Sequence, residues 1–179
     1  MPMVWPAAEH GHLPSTRPID GRLVYAESIH VGNSAYDRAE TQPAFPFGHG
    51  LGYTTWEYLD VRAPDVNVDG DAVVKIRVRN SGARPGREVV QVYASRPDSA
   101  LERPSRWLAG FAAATASPGH ETTVEVAVPA RALAHWDVDA HAWTIEPGSY
   151  RLAVGPSYAD QRLTTDITVT ETTATHIRT

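Results

Sequence analysis

The stretch "AVVKIRVRNSGARPGREVVQVYAS", residues 72–95, decides the fold. Ala72, Val74, Ile76 and Val78 fall on one side of an extended chain and Lys75, Arg77 and Arg79 on the other, the period-two pattern of a half-buried strand. Residues 81–86, "SGARPG", carry the glycine and proline punctuation of a turn, and residues 87–95 resume extended structure. The result is a strand, turn, strand unit.

The same grammar continues downstream. Residues 107–114, "WLAGFAAA", read as another strand, and 117–121, "SPGHE", as a turn into a run where Thr122, Val124, Val126 and Val128 share a face. Residues 130–137, "ARALAHWD", suit a helical turn but are too short for an independent helix. Beyond Pro147-Gly148, Tyr150, Leu152 and Val154 point inward, and a last strand places Leu163, Thr165, Ile167 and Val169 together. Seven or so short strands without a long helix indicate an all-β, antiparallel, immunoglobulin-like sandwich. Tyr150, just after a turn, is placed like the tyrosine of a sandwich corner. The polar end, residues 171–179, is expected to be a flexible tail.

Upstream, the composition changes. Residues 1–22 hold Pro2, Pro6, Pro14 and Pro18, which favour irregular extended chain. Residues 23–54 carry one short apolar run, "LVYAESIHVG", a polar turn-like stretch, and the start of "FPFGHGLGYTTWEY", residues 45–58. Residues 1–22 cannot make a core of their own, and residues 23–54 read as a surface strip meant to lie on something else.

Of 179 residues, 42% are hydrophobic and 21% charged, the usage of a globular chain. That length suits one domain with an appendage. The net charge is -5, Lys75 is the single lysine and the arginines are scattered, so nucleic acid is a poor partner. With no cysteine, disulfides and cysteine-ligated zinc are excluded. The start lacks a basic stretch followed by an apolar one, and no run reaches membrane-spanning length, so a cytoplasmic location is the default expectation.

Gly48, Gly50 and Gly52 form G-x-G-x-G, yet Pro46 interrupts the approach and extended-chain residues follow where a phosphate loop needs a helix and lysine. A tight corner with glycine-only backbone angles is the reading. His10 and His12 could begin a metal site, but no three or four converging ligands accompany them, so loop histidines are expected. Glu27, Asp37, Glu40 and Asp60 invite a glycosidase carboxylate pair, although nothing in their spacing brings two together, and surface acids are expected. There is no Gly-x-Ser-x-Gly elbow. Trp107, Phe111, Trp136, Trp143 and Tyr158 could form a sugar-stacking platform if exposed, with core or interdomain seam as the favoured reading.

Seven ordered blocks then carry a resemblance: "PMVWP", "YAESIHVGNSAYD", "FPFGHGLGYTTWEY", "NSGARPGREVVQVY", "ERPSRWLAGF", "SPGHETTVEV" and "EPGSYRLAVGPSYAD". The chain resembles, from about Pro2 to Thr170, the C-terminal part of the family-3 glycoside hydrolases, the β-glucosidase-like enzymes. The resemblance implies residues 1–54 as the last edge of an α/β catalytic domain with its connector, and 55–170 as a fibronectin type III-like sandwich. The glycine corner would be the junction. Where the family has Glu-Gly and Gly-Tyr-Arg, this chain has Glu27-Ser28 and Gly32-Asn33-Ser34, and Gly-Leu-Ser-Tyr-Thr becomes Gly50-Leu51-Gly52-Tyr53-Thr54.

The implied chemistry is retaining hydrolysis of a β-linked terminal sugar by an aspartate nucleophile and a glutamate acid/base. Both belong to family segments preceding those present here, so no catalytic, cofactor-binding or metal residue is assigned and no cofactor is implied. The chain is expected to be inactive alone, a structural portion whose partner is the catalytic body. An apolar strip at Val24, Ile29, Val31, Phe45 and Phe47 is then expected to be exposed. The alternative is a stand-alone sandwich module binding polysaccharide or a protein.

Overall fold

The computed structural model describes residues 5–6, 18–64, 71–170 and 174–175. His10, His12, Pro2, Pro14 and most of the expected tail lie outside the described residues. Strands β1 (Trp56–Arg62), β2 (Ala72–Asn80) and β5 (Glu121–Val128) form one antiparallel sheet in the order β1-β2-β5. Strands β3 (Gly86–Ser95), β4 (Trp107–Ala116), β8 (Gly148–Gly155) and β9 (Leu163–Val169) form the other, in the order β4-β3-β8-β9. These seven strands make the sandwich expected from the sequence. Three shorter strands, β6 (His135–Asp137), β7 (Ala142–Thr144) and β10 (Ala174–Thr175), form a small sheet beside it. No helix among the described residues is long and apolar enough to cross a membrane.

The alternation in β2 is strict, with Ala72, Val74, Ile76 and Val78 buried and Val73, Lys75, Arg77 and Arg79 exposed. These side chains meet Val90, Val92 and Ala94 of β3, Val124, Val126 and Val128 of β5, and Leu152 and Val154 of β8 in one core. Each fully buried valine, leucine or isoleucine contributes about 1.5–3 kcal/mol, which is what holds the two sheets together. Asn80, fully buried at the end of β2, satisfies its whole amide: Oδ1 accepts from Thr54 Oγ1 at 2.6 Å and Gly82 N at 3.1 Å, and Nδ2 donates to Arg84 O and Ala116 O. Tyr150 is a sandwich-corner tyrosine, its hydroxyl donating to the Glu146 carbonyl four residues upstream at 2.8 Å.

β4 departs from simple alternation. Val92 pairs with Gly110 and Tyr93 with Leu108, so Ala109 is an extra residue, a β-bulge. Trp107 and Ala109 face the core before the bulge, and Ala112, Ala114 and Ala116 after it. The phase flips by one residue, which turns Phe111 outward. At Gly110 the backbone runs so close to β5 that a Cβ would lie 2.3 Å from the Ala127 carbonyl.

Two local elements refine the sequence reading. The segment taken as a polar turn begins with a six-residue helix, α1 (Asn33–Arg38), which buries Tyr36 and Ser34. The ambiguous "ARALAHWD" folds as one 3-10 turn, Ala130–Ala132, followed by β6.

Candidate functional site

The part of the molecule whose shape calls for a function is the surface made by residues 18–54 and the sheet beneath them. Residues 33–49 are fastened to the four-stranded sheet by one polar seam. The Asp37 carboxylate on α1 accepts from the Tyr158 hydroxyl at 2.5 Å and from Ser105 Oγ, with Arg106 Nε 3.8 Å away. The Tyr158 amide donates to Phe47 O at 2.9 Å, and the Arg106 guanidinium lies 4.8 Å over the Tyr158 ring. Burial, together with the hydrogen bond to Asp37, pushes the Tyr158 hydroxyl up to about 12, so it stays a neutral donor across ordinary pH.

Beneath this seam Tyr158 meets Tyr93 edge-on, ring centroids 5.4 Å apart. Gln91 is buried in the outer layer of β3, its Nε2 donating to Pro156 O and its Oε1 accepting from Tyr93. Gly48 lies directly against it: φ is +81°, and a Cβ would come 2.4 Å from Gln91 Nε2. Left-handed backbone and close approach both require glycine there. Gly50 and Gly52 do not adopt positive φ, so of the three glycines the corner depends on Gly48.

Outside the seam the strip is apolar and uncovered. Val24, Ile29, Val31 and Phe45 are exposed, as expected from the sequence, whereas Phe47, expected with them, is half-buried where its carbonyl accepts from the Tyr158 amide. Leu51 and Tyr53 are more exposed still, at 95% and 90%. Between the corner, the start of β3 and the 156–162 loop lies an open cleft of about 920 Å³ that includes Tyr53, Glu88, Val89 and Arg162. Of the two arginines that line it, Arg87 and Arg162, the second is structural: Arg162 grips Asp160 through Nε and Nη2, at 3.1 and 2.8 Å, and donates from Nη1 to Trp56 O at 2.7 Å. Burial holds the Glu88 carboxyl above its usual range, and raises the Tyr58 hydroxyl beside it.

The four acids raised as a possible carboxylate pair are taken up separately. Asp37 belongs to the seam, Asp60 on β1 pairs with Arg62 at 2.9 Å, Glu27 is half-buried in a turn and Glu40 follows α1 with φ of 51°. Among the five aromatics, Tyr158 is buried and Trp107 packs against the core, its Nε1 donating to Ala132 O. Trp143 stacks edge-on with an exposed Trp136 at 5.8 Å in the β6–β7 hairpin. Phe111, expected in a core or seam, is 65% exposed in this chain, because the bulge reverses its face. The seam residues Gln91, Ser105, Arg106 and Tyr158 were not singled out as a group by the sequence, although a glutamine inside "VVQVY" is the polar interruption that could have flagged one of them.

Residues 88–158 match the fibronectin type III-like domain family. The chain is 35% identical over 155 residues to thermostable beta-glucosidase B of Acetivibrio thermocellus, covering 86% of this chain and 20% of that protein. It is 39% identical over 155 residues to a probable beta-glucosidase K of Emericella nidulans, covering 86% and 18%. Among solved structures, DesR, a beta-glucosidase from Streptomyces venezuelae crystallised with D-glucose, superposes with a TM-score of 0.86 at 34% identity, over 93% of this chain and 22% of that one. The chain therefore spans about a fifth of the length of the curated relatives it matches.

Proposed function

The chain being the fibronectin type III-like, C-terminal part of the family-3 glycoside hydrolase architecture, we propose that it is the non-catalytic, stabilising portion of a β-glucosidase-type enzyme. The observation that carries this reading is the apolar strip between Leu23 and Tyr53, which is held on the sandwich by the Asp37–Tyr158 seam and buries Tyr36, yet leaves Val24, Tyr25, Val31, Leu51 and Tyr53 in water. An isolated monomer rarely keeps such a surface uncovered. In this reading residues 1–54 complete the edge of the α/β catalytic body, residues 55–170 are the sandwich that braces it, and residues 171–179 are a tail.

The chemistry proposed for the whole enzyme is retaining hydrolysis of a terminal β-linked sugar, through a covalent glycosyl-enzyme and a second carboxyl group that acts first as acid and then as base. Those two carboxylates are assigned to the catalytic body and to none of the residues described above. The contribution of this chain is to keep that body folded, by covering apolar surface that would otherwise face solvent.

Co-expression tests this. The chain is produced with a β-glucosidase catalytic body that lacks its own C-terminal region, in a host devoid of β-glucosidase, and hydrolysis of a chromogenic β-glucoside is followed. Activity is expected only when both chains are present. Hydrolysis by the chain alone, or a body whose yield and activity are indifferent to it, would overturn the reading.

A further inference from the structure

Resting on that reading, we propose that the catalytic body docks on the β3–β4 part of the outer face of the four-stranded sheet, with Phe111 as anchor and Leu108 and Val89 beside it, as well as on the strip. The β8–β9 part of that face carries the exposed Arg151–Asp166 ion pair. The cross-strand register places these residues together. Val89 lies opposite Ala113, Gln91 opposite Phe111 and Tyr93 opposite Leu108, all with side chains on the outer side of the sheet. Val89, Leu108, Phe111 and Ala113 are exposed, whereas Gln91 and Tyr93 are buried beneath the corner and Tyr158.

The uncovered patch therefore begins one strand away from an interface the molecule has already formed. Gly48 rests on Gln91, and Phe111 is the Cα partner of Gln91. A body that covers Leu51 and Tyr53, three and five residues beyond Gly48, has to lie over the cleft that Val89 also lines. Contact with β3 and β4 follows from contact with the corner. A large aromatic flanked by aliphatic residues is the composition of an interface anchor. The outer face of β1-β2-β5 offers no rival site, since Lys75, Arg77 and Arg79 there are paired with Glu125, Glu121 and Glu57.

The test is a chimera in which this chain replaces the matching C-terminal region of the Streptomyces venezuelae β-glucosidase, with glucoside hydrolysis measured after a heat step. Phe111→Asp and Val24→Asp are expected to speed heat inactivation about tenfold, the loss of one anchor. Val73→Asp, on the outer face of the other sheet, is expected to leave it unchanged. Thermal unfolding of each variant as an isolated chain, followed by circular dichroism, should match the unsubstituted chain, since all three side chains are exposed. If Val24→Asp inactivates faster while Phe111→Asp behaves like Val73→Asp, the sheet face is not a docking surface, although the reading of the strip stands. A chimera without hydrolysis, from an active parent enzyme, overturns both. If light scattering shows the isolated chain to be a dimer that Phe111→Asp dissociates, and the chimera is indifferent to that substitution, the occupant is a second copy and the proposal fails.

Discussion

The two sheets of the sandwich share one core and differ in what they present outward. On β1-β2-β5, Lys75 pairs with Glu125 at 3.0 Å, Arg77 with Glu121 at 3.6 Å and Arg79 with Glu57 at 3.9 Å, all well exposed. Such pairs contribute little to stability, but they keep a face solvated and unattractive to another surface. On β4-β3-β8-β9 the corresponding layer is divided: β8 and β9 carry the exposed Arg151–Asp166 pair at 3.2 Å, whereas β3 and β4 hold Val89, Leu108, Phe111 and Ala113, then Gln91 and Tyr93 under the seam. The difference teaches that register, as much as composition, decides which face can meet a partner. One extra residue at Ala109 moves a phenylalanine from the core side to the outside.

Breaking the bulge should have the largest effect. Gly110→Ala places a methyl against the Ala127 carbonyl, which is backbone and cannot step aside, so about 3 kcal/mol of stability should be lost. A drop in melting temperature on the order of 10 °C, by circular dichroism, would show it. An unchanged melting temperature would mean that β4 and β5 can separate at no cost, and that the bulge does not fix which way Phe111 faces.

The next effect sharpens the comparison at the end of the four-stranded sheet. Although burial works against it, the Glu146 carboxylate is held below its usual range by Ser99, the Ala100 amide, Arg96 and Arg103. A depressed folded-state value gives stability that is present at neutral pH and is lost as pH falls through that value. Glu146→Gln should therefore cost about 1–2 kcal/mol at pH 7. The gap from the unsubstituted chain should close on acidification. A gap that stayed constant with pH would place the cost in packing and not in charge.

Smaller and more local is the seam. Tyr158→Phe keeps the ring over Tyr93 but removes the donor to Asp37, a loss of about 1 kcal/mol confined to residues 18–49. Tryptic cleavage after the exposed Arg38 should accelerate about fivefold while the sandwich melts as before. Equal cleavage rates would show that the strip is not held by this contact. Smallest of all, Lys75→Ala on the charged face should change stability by less than about 0.5 kcal/mol.

How far the sequence foretold this follows from residue chemistry. β2 and β5 were legible because their β-branched residues recur every second position against charged or polar neighbours. β4 was legible as a strand but not in its facing, because alanine and glycine mark neither side and the bulge falls among them. Straight alternation from Trp107 puts Phe111 inside. The six residues of α1 carry little helical propensity and are held by burial of Tyr36 and Ser34, a tertiary effect with no local signature. The exposed strip was foreseen because residues 18–54 hold apolar side chains without enough of them to form a core. Its fastening through Asp37 was not, since the partner, Tyr158, lies 121 positions away.

The central claim is that strip and sheet face form one docking surface, and hydroxyl-radical footprinting of the side chains tests it most directly. Oxidation would be compared between the isolated chain and the chimera with the catalytic body. The account expects Val24, Tyr53, Leu108 and Phe111 to be shielded together in the chimera while Val73 is oxidised equally in both. Shielding of Val73, or Phe111 oxidised as fast in the chimera as in the isolated chain, would contradict it.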